Sequence, residues 1–147
     1  MANEPVQITG LKELDKKVRE LTAATGKNFL SPALRKAANV IRDQAKENAP
    51  YDSNIPDGIH IRDAIKVRRD PNPKQKGANE IMYVKPFKTK KLPVFYWSKV
   101  EFGTVKQKGQ RFMTKAYDSQ KMHAVKVFME SLGKAIIRET KKLERMK

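Results

Sequence analysis

Along most of the chain, apolar residues recur either three and four apart or every second position. Leu11, Leu14, Val18 and Leu21 have the first spacing, with Lys, Glu, Asp and Arg between them, and this predicts a one-faced amphipathic helix over about 11–23. Thr25-Gly26 closes it, the glycine serving as a left-handed cap. Ser31-Pro32 opens a second helix: the serine hydroxyl can accept from the first turn, and Pro fits where no N–H is needed. Ala33, Leu34, Ala37, Ala38, Ile41 and Ala45 form its inner face, and their small size predicts close packing. Asn48-Ala49-Pro50 stops it, because the residue before Pro is pushed out of the helical region. From about Lys115 to Met146 a third apolar stripe (Val125, Phe128, Met129, Leu132, Ile136, Leu143) predicts a long helix, with Thr114 or Asp118 as its cap. Gly133 in its middle costs stability unless another backbone approaches there.

Between the second and last helices the period shortens. Tyr51 to His60 reads as a loop, and Ile61, Ala64 and Ile65 as one helical turn. Ile65 to Arg69 and Glu80 to Lys85 alternate, predicting a hairpin around the mobile, Pro- and Gly-bearing turn Asp70 to Asn79. Val6 and Ile8 alternate in the lead segment and are consistent with an edge strand. Val94 to Phe102 (VFYWSKVEF) has apolar residues on both faces and predicts a central strand. The fold class is therefore α+β. Two N-terminal helices, a small antiparallel sheet of three to four strands and a long C-terminal helix on that sheet form one domain over 1–147, with 1–9 and 141–147 as flexible ends.

Charge changes the picture more than composition does. Thirty-two Lys and Arg against 16 Asp and Glu leave a formal charge of +16. Such an excess draws in polyanions, so the surface suits work beside nucleic acid or docking on acidic proteins. The lysines are spread along the chain, which weakens the case for a dedicated base reader. No window is apolar enough for a membrane span, and the first residues lack the marks of a signal peptide, so no membrane partner is expected and the setting reads as cytoplasmic. With no cysteine, disulfides, thiolate metal sites and cysteine catalysis are excluded.

Candidate chemistry is sparse. His60 and His123 have no metal-ligand spacing, no serine has a nucleophile-elbow context, and Gly103 and Gly109 match neither nucleotide-loop pattern. We expect no enzyme, cofactor or metal site. Glu101, between Val100 and Phe102, is the one acidic residue that stands out, since a charge there is costly unless paired. It pairs with an Arg or Lys, inside the chain or across an interface, or it accepts from backbone N–H groups of the Gly103-Thr104 turn. The Lys88, Lys90, Lys91 run reads as a solvated loop or as a loop touching DNA or a partner.

Several of these stretches together resemble one family. A segment ending Glu101-Phe102-Gly103-Thr104, then a basic loop and the Phe112-Met113 pair before Ala116, resembles the HK97 gp10-like tail-component family of tailed bacteriophages. Ile8-Thr9-Gly10-Leu11 with Leu14 and Leu21, the wording AANVIRDQAKENAP, and Gly58 followed by Ile61-Arg62-Asp63-Ala64-Ile65 agree in order. Two departures are visible: Gly58 to Ile61 is one residue longer than the family form, and Arg111 and Lys115 replace prolines. The resemblance implies a structural virion protein of the neck, or tail completion. Such a protein forms a homo-oligomeric ring, hexameric by the family expectation, at the head–tail junction after assembly in the host cytoplasm. It would join the head-closure or connector protein to the tail terminator or tail tube, with double-stranded DNA passing through the lumen without sequence recognition. A lumen that gripped phosphates would hinder DNA exit, so most of the charge is expected outside or at interfaces. The expected subunit and partner contacts are Glu101, Phe102, Gly103, Thr104, Lys106, Lys108, Arg111, Phe112 and Met113. The alternative is a basic nucleic-acid-binding protein, in which Lys88, Lys90, Lys91, Lys106, Lys108 and Arg111 would neutralise phosphates.

Overall fold

The computed structural model describes residues 11–26, 28–50, 60–87 and 97–146. Helix α1 spans Leu11–Thr25, α2 Leu30–Asn48 and α3 Ile61–Ala64; strand β1 is Ile65–Arg69 and β2 Met82–Pro86; α4 is Trp97–Phe102 and α5 Phe112–Arg145. A 3-10 turn at Pro73–Lys76 lies between the strands. The chain is thus α+β, with two N-terminal helices, a small antiparallel sheet and a long C-terminal helix.

The longest helix is paired with α2 along most of the latter's length, and alanines make that possible. Ala33, Ala37, Ala38 and Ala45 of α2 and Ala116 and Ala124 of α5 are all buried, so the two backbones can approach closely. Among the described residues, two apolar cores lie along this pair. In one, Ala45, Ala49, Ile61, Ala64, Ile65, Phe112 and Ala116 cluster, with Ile41, Val84, Trp97, Val100 and Met113 against them. In the other, Val18 and Leu21 of α1 meet Phe29, Ala33, Leu132 and Ile136. The start of α5 therefore shares a core with the sheet, while its later turns are covered by α1.

Local chemistry fixes the element ends. Gly26 takes φ 69° after α1 and donates to Thr22 O at 2.7 Å, the expected left-handed cap. Ala49 is extended (ψ 139°) before Pro50, which ends α2 where the sequence places its stop. The start of α2 differs from expectation. The helix begins at Leu30, and the cap is Asn28, whose Oδ1 accepts from Leu30 N at 3.0 Å and Ser31 N at 3.3 Å. Burial of Phe29 holds the chain so that the Asn28 amide, rather than the Ser31 hydroxyl, lies over the first turn.

The hairpin has the register Ile65↔Pro86, Val67↔Val84 and Arg69↔Met82. Its inner residues Ile65 and Val84 join the core, while Lys66, Arg68, Tyr83 and Lys85 face outward. The described residues hold two strands, fewer than the three to four expected. The Val6–Ile8 candidate and residues 94–96 lie outside the described residues. Residues 97–102 are not a strand but helix α4. Trp97, Val100 and Glu101 stand three and four apart, and all three turn inward while Phe102 turns out. In so short an apolar run a period of two and a period of 3.6 look alike.

The expected loop Asp70 to Asn79 is anchored rather than open. Buried Asp70 accepts from Asn72 N at 2.8 Å and Tyr83 OH at 2.7 Å, and pairs with Lys76. Glu80 pairs with Arg69 and accepts from Asn28 Nδ2 at 3.0 Å, which ties the hairpin to the cap of α2.

Candidate functional site: the loop between α4 and α5

The site is built around Glu101. The residue is 1% exposed, and among the described residues no lysine or arginine pairs with it. One carboxylate oxygen accepts from Met113 N at 2.9 Å; the other accepts from Thr114 N at 3.0 Å and Thr114 Oγ1 at 2.6 Å. These are orphan N–H groups of the first turn of α5, so the carboxylate caps that helix and opposes the positive end of its dipole. Of the two sequence readings, backbone capping is the one realised, but the donors belong to Met113 and Thr114 rather than the Gly103-Thr104 turn. For the same reason α5 begins at Phe112, earlier than Lys115, and needs neither Thr114 nor Asp118 as its cap.

Residues between the two helices form a closed excursion. Gly103 N donates to Lys99 O at 2.8 Å, Gln110 N to Val100 O at 2.8 Å and Arg111 N to Glu101 O at 3.0 Å. Thr104 and Gln107 exchange backbone bonds of 2.8 and 3.3 Å, and Gly103 bridges Lys108. The crossing point accepts only glycine. Gly103 has φ 85°, and a Cβ there would stand 2.5 Å from Gly109 N. A Cβ on Gly109 would stand 2.6 Å from Glu101 O and Phe102 C. Arg111 adopts the left-handed conformation at φ 51°, the one non-glycine residue among those described to do so, and turns the chain into α5.

This frame holds an exposed tip. Phe102 is 65% exposed and Val105 fully so, and Lys106, Lys108 and Arg111 surround them, all exposed. A cleft of roughly 400 Å³ runs beside the tip, lined by Phe102, Lys108, Arg111 and Lys115 among others. An apolar tip ringed by cations and fixed by backbone bonds can insert into an apolar depression with an acidic rim.

The sequence-expected contact residues therefore divide. Phe102, Thr104, Lys106, Lys108 and Arg111 are at the surface, and Gly103 is half-buried at the crossing. Glu101 and Phe112 are buried within the chain and Met113 is packed against the core, so these three support the loop from inside. Lys88, Lys90 and Lys91 lie outside the described residues. Val105 was not singled out by sequence; its signal is one apolar residue in an otherwise polar loop. Among the described residues no group of three His, Cys, Asp or Glu could hold a metal ion, and no helix is long and apolar enough to cross a membrane.

Residues 12–103, well over half of the chain, match the family model described as "Bacteriophage HK97-gp10, putative tail-component". The chain belongs to this HK97 gp10-like family of bacteriophage tail components. The match runs from α1 through the hairpin to α4 and ends at Gly103, the first residue of the closed crossing. No curated protein and no solved structure matches the chain.

Proposed function

We propose that the protein is a non-enzymatic structural component of the phage neck, completing the tail at the head–tail junction. In this reading copies form a ring, hexameric by family expectation, between the head-closure or connector protein and the tail terminator or tube. Double-stranded DNA passes through its lumen. Family membership supports the tail-component part. The observation that carries the docking part is the rigid loop 102–110, which exposes Phe102 and Val105 although an isolated chain would gain by burying them.

The charge of +16 suits contact with acidic neighbouring rings and keeps the nucleic-acid-binding alternative testable. Electron cryo-microscopy of assembled particles tests the proposal. The expected density is a closed ring of this chain at the junction, with loop 102–110 against a neighbouring subunit. Particles lacking the chain, together with tight salt-sensitive duplex binding by the free protein, would favour the alternative.

A further inference from the structure

The outward face of the hairpin gathers cations that no carboxylate among the described residues balances. Lys66 of β1 stands directly opposite Lys85 of β2, and Arg68 stands opposite Tyr83; all four are exposed. Like charges across a strand pair cost stability, so this register sets Lys66 against Lys85 at a loss to the free chain. The ring of half-buried Phe87, just past β2, draws two of the charges together. The Arg68 guanidinium stands 4.2 Å and the Lys85 ammonium 5.2 Å from its centroid. A ring steadies a cation without neutralising it. The carboxylates of the hairpin are engaged elsewhere, Asp70 with Lys76 and Glu80 with Arg69. Asp63, exposed on α3, is the one acid left among the described residues of α3 and the hairpin, and it pairs with none of the three cations. The inner residues Ile65 and Val84 pack toward α2, which puts that helix on the other side of the sheet.

The make-up of the face narrows the choice of occupant. Protein interfaces are centred on apolar side chains and are poor in lysine. On the hairpin Tyr83, 37% exposed, is the only large apolar or aromatic side chain at the surface, and its hydroxyl is held by Lys76 and Asp70. Neither ring is free to stack on a base: Phe87 is faced by Arg68 and Lys85, and Tyr83 by Lys76 at 5.3 Å. What remains is a planar guanidinium fork and two point charges, donors that suit phosphate oxygens. We infer that this face binds the phosphate backbone of double-stranded DNA, without reading its bases, through Lys66, Arg68 and Lys85. So few contacts in each copy let the DNA slide across it. The inference deepens the tail-completion reading by naming the surface that meets the DNA, and rests on that reading for the source of the duplex.

The test is fluorescence anisotropy of the full chain with two labelled duplexes of unrelated sequence, titrated over a series of salt concentrations. The parent should bind both alike at low salt and lose hold as salt rises. Lys66→Gln/Lys85→Gln should weaken binding and reduce the slope of log affinity against log salt by about 1.8, or about 0.9 for each phosphate contact removed. Its melting temperature should stay within about 2 °C of the parent's, since both side chains are exposed. Lys106→Gln/Lys108→Gln removes the same charge from loop 102–110 and should leave the slope as in the parent. Unlabelled duplex should displace the label far more readily than polyglutamate of equal charge. Any of three results overturns the inference: a parental slope in the hairpin variant, an equal loss in the loop variant, or equal displacement by polyglutamate, which would make the face a dock for an acidic protein. The tail-completion reading is judged separately, by where the chain lies in assembled particles; a ring at the junction whose hairpin fails on DNA sinks this inference alone.

Discussion

Two carboxylates, Glu101 and Asp70, each organise a stretch of backbone. Glu101 ties α4 to the first turn of α5 through a buried side chain. Its replacement by alanine leaves the Met113 and Thr114 N–H groups buried without acceptors, at a cost of about 1–3 kcal/mol. Glu101→Ala should therefore lower the melting temperature by several degrees, and Glu101→Gln, which keeps one acceptor oxygen, by less; thermal unfolding followed by circular dichroism checks both.

Asp70 offers a pH signature. Its hydrogen bonds from Lys76 and Tyr83, and from Asn72 N, lower its carboxyl from the ordinary 3.8 to about 2. A carboxyl lowered in the folded state adds stability that is fully present above 3.8 and is lost as pH falls through about 2. Glu80 is shifted in the same direction, by Arg69 first and Asn28 after it. Over that window the parent should lose more stability than Asp70→Asn, measured as the difference in melting temperature between the two proteins at each pH.

At the scale of elements, what the sequence made legible follows from how far apart the cooperating residues lie. The faces of α1 and α2 and the stop at Ala49-Pro50 rest on neighbours within a few positions, and the structure has them where the pattern does; the hairpin was legible from the alternation within each segment, although β2 runs Met82–Pro86 rather than Glu80 to Lys85. The Asn28 cap with its reach to Glu80, and the Glu101 cap of α5, join residues 52 and 12–13 positions apart, which no local pattern displays. The strand expected at Val94 to Phe102 becomes α4 over 97–102 for a related reason: a strand would turn Val100 and Glu101 to opposite faces, whereas the structure needs both inside. The loop was visible as a basic segment. Its rigidity was not, because the contact of Gly103 with Gly109 shows only once the chain has crossed itself.

At the scale of the molecule, α5 joins the parts. Its 34 residues extend about 51 Å, roughly twice the reach of α2. Its first turn is fixed by Glu101 in the core that holds the sheet, and its later turns are covered by α1. Loop 102–110 thus projects from a rigid frame. Such a frame suits a component whose work is to hold neighbours in register, since little ordering entropy remains to be lost on docking.

The central claim is that this loop is the element by which the tail component docks. The most direct measurement is completion of tails in an extract that lacks this protein, scored as infectious particles, with parent or Phe102→Asp/Val105→Asp chain added back. Both side chains are exposed, so the variant should fold with an unchanged melting temperature. The account predicts that it leaves heads and tails unjoined while the parent restores them. A variant that folds and completes tails as well as the parent would contradict it.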